Sequence, residues 1–160
     1  MERYLLHLQN KWKHNFIVDT RKDGSFSFLH KQVLFVGLNV IGEFEKDMFE
    51  QRMKENLSYT TSLLLKHAND IYACVLFFHK KQEHQNRLFF YPFSTFVKNY
   101  PDISFLYLHG HGHNFLQKLK GENFMRVQVD QGLNAPPIKV IVRKYGNLAK
   151  DNFIIHRAQY

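Results

Sequence analysis

With a single cysteine, Cys74, the chain has no internal disulfide framework, so packing and hydrogen bonding must hold it folded. Cys74 lies in the apolar run from Ile71 to Phe78, where a thiol behaves as a small buried hydrophobe rather than a nucleophile. No apolar stretch of ~18 residues occurs, and the opening Met1-Glu2-Arg3-Tyr4-Leu5-Leu6-His7 lacks the apolar core of a signal peptide. The expectation is a cytoplasmic chain with no membrane span. Proline and glycine are scarce, 4 and 8 in 160 residues, and no Pro/Gly/Ser linker, repeat or low-complexity tract divides the chain, so residues 1–160 read as a single domain. Acidic residues are also few, 14 against 22 lysines and arginines, and the net charge of +8 favours anionic partners such as phosphate esters. The basic residues are dispersed rather than grouped in one block, which argues against nucleic acid as the partner.

What is abundant is apolar and aromatic: 44% hydrophobic residues, 16 of them phenylalanine, enough to build a core. Phe16-Ile17-Val18, the turn signal Lys22-Asp23-Gly24 and the alternating Ser25-Phe26-Ser27-Phe28 predict a hairpin. The nearly continuous run from Val33 to Leu38 predicts a strand buried on both faces. Between Lys46 and Asn69, Phe49, Met53, Leu57, Leu64 and Ala68 recur near multiples of 3.6, as an amphipathic helix requires. Two further buried strands follow, Ile71 to Phe78 and Ile103 to Leu108, with a short helix opened by Pro92 between them. Asn123 to Val129, Ile138 to Val142 and Phe153 to His156 are later strand candidates. The fold class expected is α/β in the α+β sense.

Two of the buried runs end on histidine: Phe77-Phe78-His79, and Leu108-His109-Gly110-His111-Gly112-His113. Strands flanked by helices deliver ligand-binding residues at their carboxyl ends. Glycines allow close backbone approach, and residues two apart in an extended segment share a side, so His111 and His113 would reach one ion or two adjacent ions. Imidazole suits manganese, iron or zinc, and water between two such ions becomes a nucleophile at neutral pH. A lone histidine such as His79 is more often a hydrogen-bonded strand cap, whereas three histidines in five residues are harder to read that way.

In this order and spacing the chain resembles the calcineurin-like metallophosphoesterases, specifically their C-terminal portion. Gly110-His111-Gly112-His113 resembles the family's Gly-His-x-His signature, and His79 stands in the place of its isolated metal-binding histidine. Val33 to Gly42 resembles the strand before the family's long helix, and Phe124 to Val142 the closing strands, so the resemblance covers about Val33 to Val142. It implies the C-terminal half of a β-sandwich flanked by helices, with His79 and His111 on one divalent ion and His113 on the other. His109 matches no required position and is expected to be solvent-exposed or to support a ligand from behind.

The family's Asp-x-His, Gly-Asp and Asn-His motifs occur nowhere in the chain, and Asn39 has no adjoining histidine to replace the last of them. Three neutral imidazoles can hold one ion, but a close pair needs bridging carboxylate oxygen to offset its repulsion. Asp70, Asp102 and Asp130 each sit at a turn signal, where aspartate ordinarily initiates the turn. The expectation is therefore an incomplete site on a truncated domain with little or no activity alone, and strand edges left open for association. The alternative is a non-catalytic metal- or anion-binding module, in which the basic surface and aromatics such as Trp12 and Tyr91 serve a partner such as nucleic acid.

Overall fold

A computed structural model describes residues 19–20, 23–40, 46–80, 87–132, 135–146 and 148–157. In chain order the strands are β1 (Asp19–Thr20), β2 (Phe26–His30), β3 (Val33–Gly37), β4 (Ala73–Phe78), β5 (Ser104–His109), β6 (Leu116–Leu119), β7 (Phe124–Gln128), β8 (Ile138–Val142) and β9 (Phe153–Arg157). Helix α1 (Lys46–His67) joins β3 to β4, α2 (Arg87–Phe96) lies between β4 and β5, and the short α3 (Ala149–Asn152) leads into β9.

The apolar runs become the middle of a seven-stranded sheet ordered β1-β2-β3-β4-β5-β7-β6. β3, β4, β5 and β7 are mutually parallel, while β1, β2 and β6 pair antiparallel at the two sides. Parallel strands need cover on both faces, which is why β3, β4 and the middle of β5 read as unbroken apolar sequence, whereas β7 carries Arg126 and Gln128. Alternation then sorts their side chains. Leu34, Val36, Cys74, Leu76, Phe105 and Tyr107 face the helices and pack with Met53 and Leu64 of α1 and Phe89, Phe90 and Phe93 of α2. Val33, Val75, Leu106, Met125 and Val127 take the other face, covered by Phe153 and by Ile138, Val140 and Val142 of a separate two-stranded β8-β9 sheet. The chain is a mixed α/β protein, with helices on one face of the main sheet and a smaller β layer on the other.

Cys74 is wholly buried, and burial pushes its thiol pKa far up, so it acts as a core hydrophobe. Among the described residues, no helix is long and apolar enough to cross a membrane. The outer strand β6 is exposed along its length, with Leu116 and Leu119 at the surface.

Several boundaries differ from the sequence reading, each for a local reason. Pro92 lies inside α2 rather than opening it; the missing N–H forfeits the bond to Leu88, and the ring sits on the exposed side, opposite buried Phe89, Phe90 and Phe93. β2 and β3 are joined by Lys31 and Gln32, at φ 48° and 61°, a two-residue turn made without the glycine or asparagine that would announce it. β6, solvated on both faces, has no alternation to betray it. Ser25 to Phe28 does enter a hairpin, β1 with β2, whereas Phe16, Ile17 and Val18 lie outside the described residues, as does Trp12.

Candidate functional site

β4 and β5 run in parallel with Phe78 opposite His109, so the segments leaving their carboxyl ends emerge side by side. That register brings His79 and His111 together: their ring centres are 5.3 Å apart with planes at 71°, and both residues are exposed. The link after β5 is tightly folded. The Gly112 N–H donates to the Gly110 carbonyl at 2.9 Å, closing a three-residue turn whose central residue, His111, has a φ of 68°. His113 follows at φ 55°. Such left-handed conformations cost a side-chain-bearing residue about 1–2 kcal/mol each and persist where their surroundings enforce them.

The enforcement comes from β7. The Gln128 amide nitrogen donates to the Asn114 carbonyl at 2.8 Å and to its side-chain oxygen. A Cβ on Gly112 would meet the end of the Gln128 side chain, so a larger residue there would have to displace that amide from Asn114. The expectation that His111 and His113 share a side as in an extended strand is not met, because the loop turns at both residues. His113 is exposed, and no three His, Cys, Asp or Glu side chains converge as a metal-holding group among the described residues.

Of the two expectations for His109, exposure is overturned and a place behind the loop is what the structure has. It is the last residue of β5, 3% exposed, with its ring stacked on Tyr107 at 4.8 Å. The Arg126 Nε–H donates to Nε2 at 2.8 Å, which leaves the proton on Nδ1, donating to the Gly110 carbonyl at 2.8 Å. Burial, then the charges of Arg126, His111 and His79, drive its pKa down to about 4 against the opposing Gly110 hydrogen bond. The folded protein therefore holds His109 neutral where the unfolded chain, near 6.5, would bind a proton. The sign follows: stability is full above pH 6.5 and declines as the pH falls towards 4. Urea midpoints taken from pH 7.5 to 4.5 should fall, and His109→Gln should flatten that part of the profile. An identical slope in the variant would place the titration elsewhere.

Arg126, Gln128 and Asn114 are the contributors that the sequence reading missed. Arg126 and Gln128 lie two apart in an otherwise apolar strand and pair in register with Tyr107 and His109. Two polar residues on one face of a buried strand are a signal that something polar must be answered there. Asp70 and Asp102 are exposed at turns as expected, whereas Asp130 lies outside a turn and meets the Arg157 guanidinium at 3.0 Å.

The spacing of His79 and His111 has chemical meaning. An ion about 2 Å from an imidazole nitrogen is about 3 Å from the ring centre, and a tetrahedral angle then separates two ring centres by about 5 Å. The separation of the two rings matches that spacing, and the described residues bring no carboxylate to the same point. No family model, curated protein or solved structure matches the chain. The likeness to metallophosphoesterases therefore rests on the residues themselves.

Proposed function

We propose that this chain forms one side of a calcineurin-like phosphoesterase site, in which His79 and His111 hold a single divalent ion of manganese, iron or zinc and the phosphate ester is anchored beside it. The observation that carries the reading is the pairing of two exposed imidazoles at 5.3 Å on the carboxyl edge of parallel strands, one of them held at a φ of 68°. Strained, non-glycine backbone clusters at functional sites, and a buried bond network behind the loop maintains it here. Bound there, a divalent ion supplies positive charge that polarises a phosphoryl oxygen. The chain's own share is to orient the imidazoles: Gln128 fixes the loop, and His109 and Arg126 support it from beneath.

Hydrolysis needs more than these residues offer. Among the described residues no carboxylate stands ready to bridge a second ion, and the family's Asn-His motif is absent from the sequence. Turnover accordingly depends on carboxylates and a proton donor supplied from outside this chain. The isolated chain with manganese and an aryl phosphate should show hydrolysis no faster than the metal in buffer. Robust hydrolysis abolished by His111→Ala would overturn the dependence on outside groups.

A further inference from the structure

Between the second face of the main sheet and the β8-β9 layer lies a groove of about 810 Å³, within the ~300–1,000 Å³ range of small-molecule sites. Its walls include Phe35, Val75, Phe77, Leu108, Val140 and Val142. We infer that this groove receives the aromatic arm of the phosphate ester whose phosphate lies at His79 and His111. The inference rests on the proposed function above and adds a substrate class to it.

Three observations carry it. The first is adjacency: Phe77 and Phe78 line both the groove and a smaller cavity of about 250 Å³ that reaches His79. The arm's groove therefore adjoins the histidine edge. The second is the character of the wall. Phe77 is 37% exposed, although its neighbours on this central strand are buried, so an aromatic face is left open where core would be expected. It belongs to a near-parallel row, with Phe35 at 6.4 Å and 16° and Phe28 beyond it at 4.7 Å and 13°. Rings stacked in this way turn their edges outward, and a ring edge favours the face of an aromatic arm over an aliphatic one.

The third is charge. The one carboxylate among the described residues lining the groove, Asp130, is paired with Arg157. The rest of that lining is apolar apart from His109, while a chain of net charge +8 attracts the anionic head. Head and arm would then meet two adjoining surfaces of different character.

The test is fluorescence titration of the full chain, with zinc present, using 1-naphthol, 1-naphthyl phosphate and methyl phosphate. Phe77→Ser and Val140→Asn alter the groove at partly exposed positions, and circular dichroism confirms that each is folded; His111→Ala alters the edge. Naphthol should bind saturably, one per chain, and weaken about tenfold in either groove variant, the worth of one stacked or buried contact. His111→Ala should leave naphthol binding unchanged. Naphthyl phosphate should bind more tightly than naphthol, with that gain lost in His111→Ala and methyl phosphate binding weakest. Absence of saturable naphthol binding, or groove variants that bind it like the wild type, overturns the inference even if zinc binds. Groove-dependent naphthol binding with no gain from the phosphate overturns the reading of the histidine edge instead. Loss of naphthol binding on raising protein concentration, relieved by Phe77→Ser, would mean that a second copy occupies the groove and would also overturn the inference.

Discussion

Phe93→Ala should remove about 3–5 kcal/mol of stability, the cost of a cavity where a buried aromatic ring stood. Phe93 is 0% exposed and is the meeting point of three elements. Its ring stacks on Phe89 at 5.3 Å within α2, and meets Phe105 of β5 at 6.0 Å and Phe124 of β7 at 5.8 Å, both edge-on. Little can collapse into the vacated space, because its neighbours are held by the sheet on one side and by the helix on the other. Domains of this size are stable by only about 5–15 kcal/mol, so the variant should unfold at a much lower urea concentration. Phe93→Leu, which keeps most of the volume, should recover more than half of the loss. A shift of under about 1 kcal/mol for the alanine variant would mean that α2 does not seal this face.

Asn152→Ala should cost about 2–4 kcal/mol by leaving several buried polar groups unpaired at once. Asn152 is 1% exposed. Its side-chain oxygen accepts the Tyr145 N–H at 2.8 Å and the Gly146 N–H at 3.1 Å. Its nitrogen donates to Ser104 Oγ at 2.8 Å and to the Gly146 carbonyl. One side chain thereby ties the turn after β8 and the short α3 to the start of β5, joining the smaller β layer to the main sheet. Asn152→Asp keeps the two acceptor bonds, loses both donor bonds and buries a charge, so it should be no better than alanine. Denaturation of both variants beside wild type measures this, and a loss below about 0.5 kcal/mol in each would assign the joining role to apolar packing alone.

The central sheet was legible because parallel strands covered on both faces must be apolar throughout, and the runs ending at Phe78 and Leu108 are. α1 was legible from its period. The Lys31-Gln32 turn was not, since residues without special turn preference were pulled to positive φ by tight β2-β3 pairing. Nor was the buried state of His109. Its surroundings depend on Arg126, 17 positions away, and on a parallel register that local pattern does not encode. The same register made His79 and His111 neighbours, which the sequence suggested only through strand endings and a resemblance. The His111 ring lies 5.3 Å from that of His79, while the turns at His111 and His113 remove the shared side that an extended segment would have given the two.

The central claim is that His79 and His111 form one divalent-ion site. Calorimetric titration of zinc into the full chain at pH 7.5, with His79→Ala, His111→Ala and His113→Ala in parallel, tests it most directly. The account predicts one zinc per chain and a loss of roughly a hundredfold or more in affinity for either of the first two variants, at least as large as disturbing a ligand's support. His113→Ala should stay within a few-fold of wild type. Near-zero binding in all four proteins, or undiminished affinity in His79→Ala and His111→Ala, would contradict it.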